Sequence, residues 1–509
     1  MNAEPRSHVP GTAVGPAPRE ATGVPPALFA FYLLLCTSLV LYVYRVAVAG
    51  VNMSVLRLLL LGWLAWLALD VVRGRIRPER RYWPLLRIVA GIMVVNVADF
   101  LTLGGHPALR RDIANHVLNL ALAGLVTVYV TTESRRVALL RAFVYSSLVT
   151  SAITLYSAIH HRLPFESLIR TLGSTQAQGL SYISDDTLFT RATAAFYDPN
   201  FYGIYSLLVL VAILYLWLFD RPSRQLAVFF ALNMVCLSLT LSRTATVGLL
   251  AAMGVSFLLV PRSRWFAVAA SVAAVGLLYT ATAVQSHEGR KRLVAQADAV
   301  WDDWTRERPS EPAATRKAPA SRPGTARPGA RPSPARPSGD AARVRPATPD
   351  SIGEPERPAL EDLGRTTRLA QARVADARSL EGRLAHIRQG LRVFGESPLW
   401  GQGSAALLAE HTQWSSAHVS YLTLLARYGL LGTAVYVAFL IWPLWVVWRR
   451  GVPMASRYFV TVTLGTLMVV YLGYDILLFF EIQYLFFGLV YAVAVQVTAN
   501  TAMSPPPPS

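Results

Sequence analysis

The chain has 509 residues, 53% of them hydrophobic and 15% charged, with a mean hydropathy of +0.38. So little charge cannot cover the surface of a soluble globule, which excludes that class and points to an integral membrane protein; 12 Trp and 21 Tyr suit a headgroup belt. The net charge of +18 comes from arginines in short links and one Pro-rich loop, not from a folded basic face, so no nucleic-acid partner is expected.

Residues 1–26 are polar and rich in Pro, Gly and Ala, and read as a disordered cytoplasmic tail without a cleavable signal peptide. Apolar runs follow at 27–45, 54–72, 84–103, 112–131, 137–159, 201–219, 225–241, 244–260, 265–284, 420–448, 457–475 and 477–498. Each approaches the roughly 20 residues that cross a bilayer as a helix. The expected fold is therefore all-α and polytopic, with about 12 transmembrane helices, nine before a large loop at 285–419 and three after it, and a tail at 499–509. Very short links, "LSRT" and "YDILLFFE", separate the runs within 225–260 and 457–498. Cys36 and Cys236 both lie inside apolar runs, which argues against a disulfide, a zinc site or an iron–sulfur site.

Link charge sets the expected orientation. With the N-terminus cytoplasmic, the inner links at 73–81, 133–136, 220–224, 261–264 and 449–457 hold 14 arginines. The outer links are then 46–53, 104–111, 160–200, 242–244, 285–419 and the turn near 476, which places both long loops on one side. Long loops on a single face are where a site finds room. Within 285–419, residues 305–360 contain almost no large apolar side chain and read as a disordered, cationic insert. An amphipathic helix is expected over 365–394, with Leu380, Leu384, Ile387, Leu391 and Phe394 forming its apolar stripe and Arg383 and Arg388 opposite. Gly395 and Pro398 end it.

The candidate chemistry lies along these outer segments. His418 sits where the polar loop "TQWSSA" meets an apolar helix that Ser415 and Ser416 are expected to cap. In the first turn of that helix an imidazole is held neutral by the helix dipole and can act as a base; equally, it can be an interface histidine satisfied by loop carbonyls. Arg191 offers a fork-shaped donor for phosphate or pyrophosphate, or a lipid-headgroup contact, and Asp198–Pro199–Asn200 starts the next helix. Arg243 stands at the outer "SRT" turn, where charge near hydrocarbon is costly unless paired or hydrated. Arg388 and Arg392 share the loop helix with Arg383, as a donor surface or a solvated face. Asp475 and Glu481 bracket the last outer turn and either orient an acceptor or cap helices; Asp99 is a further outer-end acid. No P-loop, Rossmann, HExxH or GxSxG pattern occurs, and the Asp185–Asp186 pair alone does not make a Mg²⁺ site.

These elements, taken in order, resemble the O-antigen ligase and O-antigen polymerase superfamily of bacterial envelope glycosyltransferases. The likeness rests on "RATAAFYDPN" at 191–200, "SRT" at 242–244, "RLAHIRQGLRVF" at 383–394, "SPLWGQG" at 397–403 and "AHVSYLTLLARYGLLG" at 417–432. The resemblance implies transfer of a glycan from a polyprenyl-pyrophosphate carrier, such as undecaprenyl pyrophosphate, to a hydroxyl acceptor at the outer side of the bacterial cytoplasmic membrane. It implies no nucleotide, metal or other cofactor. His418 matches the family's loop histidine, and Arg191, Arg243 and Arg383 match family arginines; with Arg388 from the same loop helix they are the candidates for binding the donor pyrophosphate. Asp198, Asn200, Gln413, Ser416, Tyr421 and Asp475 are the acceptor-orienting candidates. Two positions depart from the family pattern: Val419 stands where Asn is usual, leaving that role to Gln413 or Ser416, and Ala195 stands where Gly is common. The long Arg/Pro insert is not a core family feature.

The implied partners are the carrier-linked glycan, a glycan or glycolipid acceptor and membrane lipids. A ligase is the favoured reading, with an O-antigen-type polymerase as the alternative. A secondary transporter, from another class, would place its polar residues near the bilayer midplane, and an assembly scaffold would leave His418 replaceable.

Overall fold

A computed structural model describes residues 24–41, 45–48, 51–76, 79–102, 107–160, 194–196, 198–240, 242–261, 387–403, 419–475, 477 and 480–503. The chain divides into two compact units, Met1–Val284 with Ser379–Ser509, and Gln285–Arg378. The second unit lies wholly outside the described residues, as do the expected span at 265–284 and the tail at 1–23.

Among the described residues of the first unit, eleven helices follow the apolar runs: α1 (Pro26–Val40), α2 (Val55–Val72), α3 (Trp83–Thr102), α4 (Pro107–Tyr129), α5 (Glu133–His160), α6 (Pro199–Phe219), α7 (Arg224–Thr240), α8 (Arg243–Leu259), α9 (Ser420–Arg449), α10 (Met454–Gly473) and α11 (Glu481–Met503). Seven of them are long and apolar enough to cross a membrane; α1, α7, most of α8 and the Ile113–Tyr129 part of α4 are shorter apolar stretches. The short links do separate helices: Ser242 caps α8 by accepting from the Ala245 N–H at 3.4 Å, and residues 474–480 part α10 from α11.

The all-helical expectation needs one addition. In the link after α1, β1 (Arg45–Val48) pairs antiparallel with β2 (Val51–Ser54), Val48 opposite Val51. Valine-rich runs separated by two residues, Ala49 and Gly50, favour a tight hairpin over a loop.

Helices α6 and α11 are apolar all round and form the centre. Every residue from 202 to 216 and from 482 to 495 is buried. Helix α6 packs against α5, α7, α8 and α10, and α11 against α4, α9 and α10. Close approach is bought with small residues: a Cβ on Gly488 would lie 2.5 Å from the Val126 Cβ, and the Thr127 hydroxyl reaches the Gly488 carbonyl at 3.2 Å.

The links sort to two ends of this unit. At one, Arg141 pairs with Asp220 at 2.5 Å, Arg75 lies 3.6 Å from Asp70, and the Tyr129 hydroxyl donates to Asp70 at 3.0 Å. These are the arginine-bearing links assigned inward from sequence. The other end gathers the starts of α6, α8 and α9 with the end of α10.

Candidate functional site at the helix-start end

Asp198 is extended (φ −134°, ψ 133°) and caps α6, its Oδ1 accepting from the Asn200 N–H at 2.6 Å, with Pro199 supplying a preset first helical φ. Its other oxygen, Oδ2, accepts from the Tyr474 hydroxyl at 2.7 Å. Tyr474 ends α10 in an extended conformation, and its carbonyl accepts from the Ser420 hydroxyl at 3.0 Å. The next residue, Asp475, accepts from the Thr423 hydroxyl at 2.5 Å. Helix α8 joins the group through Thr244, whose hydroxyl reaches the Gly473 carbonyl at 3.5 Å, and a Cβ on Gly203 of α6 would lie 2.7 Å from the Ser242 Cβ. Three helix N-termini thus adjoin one short link, and their dipoles give this end a positive field suited to an anion.

Aromatic rings floor the arrangement. Phe201 stacks on Phe480 (5.3 Å, 8°) and meets Tyr474 edge-on at 5.7 Å, while Phe196 stacks on Tyr202 at 5.7 Å. The turn before α6 is buried at Ala194, Ala195 and Phe196. Its left-handed residue is Ala194 (φ 47°), one position ahead of the Ala195 that departs from the family pattern.

Helix α9 is broken at Gly429 (φ 62°, ψ −167°), and the "SPLWGQG" turn fills the break. The Gln402 N–H donates to the Ala426 carbonyl at 3.0 Å, where the first half of the helix ends. The Leu430 and Leu431 N–H groups, which open the second half, donate to the Pro398 and Leu399 carbonyls at 2.8 and 3.2 Å. Groups orphaned by the break are satisfied by the turn, which an apolar surrounding demands. The fit requires two glycines: a Cβ on Gly401 would lie 2.4 Å from the Arg427 carbonyl, and one on Gly429 would lie 2.4 Å from that of Leu399. This clasp holds residues 397–403, and the Tyr474–Ser420 bond holds the start of α9.

Of the residues singled out from sequence, Asp198, Asn200 and Asp475 meet here around Tyr474. Arg243 is the first residue of α8, beside them in the backbone. Tyr421 is half-buried, its hydroxyl donating to the Met468 carbonyl at 3.3 Å and its ring edge-on to Tyr471. Arg388 is exposed on a helical stretch at 387–396, where Arg392 pairs with Glu396 at 3.5 Å. His418, Arg191, Arg383, Gln413 and Ser416 lie outside the described residues. Two local expectations are corrected. Helix α9 starts at Ser420 with an extended Val419 as N-cap, so Ser415 and Ser416 do not cap it and His418 precedes it; the Ser420 hydroxyl goes to Tyr474 instead of closing a longer helix. In 387–396 the buried face is Gly390 and Val393, Val393 packing on Ala426, while Leu391 points outward, because the clasp rather than the apolar stripe sets the rotation. Tyr474, Ser420 and Thr423 were not anticipated: each is an ordinary residue at a helix boundary, and its partner is far away in the chain.

Residues 226–437 match the family model described as O-antigen ligase. The superfamily resemblance drawn from the motifs therefore holds. The O-antigen ligase match runs from α7 through the break in α9, and takes in the "SRT" turn, the clasp and His418. Asp198 and the Tyr474–Asp475 link lie outside it but are bonded to the start of α9 or packed beside α8. With the apolar helices, the match supports a membrane-embedded, glycan-transferring enzyme of the envelope, ligase-like in activity. No curated protein matches the chain.

Proposed function

We propose that the helix-start end is the transfer site of an envelope glycan ligase, which moves a glycan from a polyprenyl-pyrophosphate carrier to a hydroxyl acceptor outside the cytoplasmic membrane. The convergence of three helix starts on the Tyr474–Asp475 link, within reach of the O-antigen ligase match, carries this reading. Arg243, with Arg191, Arg383 and Arg388, neutralises the pyrophosphate without calling on a metal, and the helix dipoles add to that field. His418 takes the proton from the acceptor hydroxyl as its oxygen bonds to the anomeric carbon. The bond from that carbon to the pyrophosphate breaks on the opposite face, inverting the centre and releasing the carrier pyrophosphate with the electron pair. Asp198, Asn200, Asp475, Gln413 and Ser416 orient the acceptor, and Tyr421 steadies the first turns of α9. Exposed apolar surfaces such as Leu430 and Leu431 hold the prenyl chain.

The test is transfer by the purified, reconstituted full chain, with a polyprenyl-pyrophosphate-linked glycan as donor and mass spectrometry of the products. A single glycan joined to a separate acceptor supports a ligase, and a ladder of carrier-linked products supports a polymerase. No release of carrier pyrophosphate in the presence of donor and acceptor contradicts glycan transfer altogether.

A further inference from the structure

Well inside the helices lies a histidine that the transfer chemistry does not use. His116, only 2% exposed, is about two and a half turns into α4 and bonds through both ring nitrogens: Nε2 lies 3.2 Å from the Tyr436 hydroxyl and Nδ1 lies 3.0 Å from the Tyr484 hydroxyl. The Tyr484 hydroxyl has one proton and donates it to the Leu477 carbonyl at 2.7 Å, so its oxygen accepts from a protonated Nδ1. On the other side, Asn96 Nδ2 donates to the Tyr436 oxygen at 2.8 Å, which leaves the Tyr436 proton for Nε2. Asn96 Oδ1 in turn accepts from the Tyr428 hydroxyl at 3.1 Å. A neutral, Nδ1-protonated His116 therefore completes a one-directional chain, Tyr428 to Asn96 to Tyr436 to His116 to Tyr484 to Leu477.

The chain closes on itself. The Leu477 N–H donates to the Ser420 hydroxyl at 3.4 Å, and Ser420 donates to the Tyr474 carbonyl. Ser420 and Tyr428 are the first residue of α9 and the last before its break, so the circuit through α3, α4 and α11 holds that half-helix at both ends. That half-helix begins two residues after His418.

We infer that His116 is a positioning residue, a neutral bridge that locks the first half of α9 to the link carrying Tyr474 and Asp475. This rests on the transfer site proposed above. The test compares His116→Leu, which removes both bonds, with His116→Gln, whose amide can donate at one end and accept at the other. In the reconstituted full chain, His116→Leu is expected to raise amide exchange in 420–428 and at 477 about tenfold and lower kcat about tenfold while the donor KM stays within about twofold, the loss of one or two buried hydrogen bonds. His116→Gln is expected to recover both readouts to within about threefold. Should His116→Leu fail to fold, Tyr484→Phe, which keeps the ring and removes the hydroxyl, carries the same expectation. Unchanged exchange overturns the lock, and a Gln variant no better than Leu overturns the bridging role. Absence of transfer by the unmodified chain would count against the site, while the exchange measurement would still read the lock.

Discussion

The two ends of the described helices are built from different bonds. At the arginine end, apart from the buried Asp70 that accepts from the Tyr129 hydroxyl, the contacts are at least partly exposed: Arg141–Asp220 has side chains 43% and 22% accessible, and Arg449 and Arg457 lie over the rings of Trp445 and Trp448 at 5.2 and 5.1 Å. Pairs of this kind are each worth at most about 1 kcal/mol and can re-form with water or lipid headgroups. At the helix-start end the contacts are hydroxyl-to-carboxylate and hydroxyl-to-carbonyl bonds drawn from four helices, and a broken helix is filled by a turn with no room for a side chain. The first end anchors; the second fixes positions. An enzyme needs the second kind of bond only where reacting atoms must be held.

That contrast breaks first at the glycines. Gly429→Ala combines a left-handed φ, costing about 1–2 kcal/mol, with a collision against the Leu399 backbone, and is expected to abolish the cooperative thermal melt of the purified chain. Gly74→Ala at the arginine end has a similar φ of +70° but nothing within 4 Å of the added Cβ, and should cost about 1 kcal/mol in the same melt. Equal losses would show that the clasp adds nothing beyond its dihedral angles.

Donor kinetics come next. Arg243→Ala is expected to raise the donor KM about tenfold or more, the scale of a charge-assisted phosphate contact, and Arg449→Ala to leave it within about twofold. A smaller pair of effects follows from single hydroxyls and exposed ions. Tyr474→Phe takes a donor from Asp198 and should cost about 1–2 kcal/mol together with a fall in kcat, whereas Arg141→Ala should cost no more than about 1 kcal/mol and spare kcat. Comparable kcat losses in the two variants would erase the distinction between the ends. The smallest effect is expected from deleting residues 310–355, whose sequence holds almost no large apolar side chain to bury: the melt should move by less than about 2 °C.

The helices and their alternation were legible because a run of about twenty apolar residues carries its own signal, and arginine placement sorted their links to two ends. The hairpin at 45–54 was legible in principle from its valines. The break at Gly429 was not, since "YGLLG" reads as a tolerated glycine in a helix until the turn that fills it is known. The Val419 cap was hidden for a related reason: Ser415 and Ser416 are better cap residues by type, but the Ser420–Tyr474 bond outweighs that preference. Asn96, His116, Tyr436 and Tyr484 sit singly in four apolar helices, and pairs such as His116–Tyr484 are 368 residues apart, so no local pattern announces them.

The central claim is that the helix-start end, not the arginine end, receives the donor. A density map of the full chain in lipid with a non-transferable polyprenyl-pyrophosphate analogue tests it directly. The account predicts pyrophosphate density at the starts of α6, α8 and α9, with the Arg243 guanidinium on it and the His418 imidazole on the acceptor side of the anomeric carbon. Pyrophosphate density among Arg75, Arg141 and Arg449 at the opposite end, or Arg243 and His418 on separate surfaces, would contradict it.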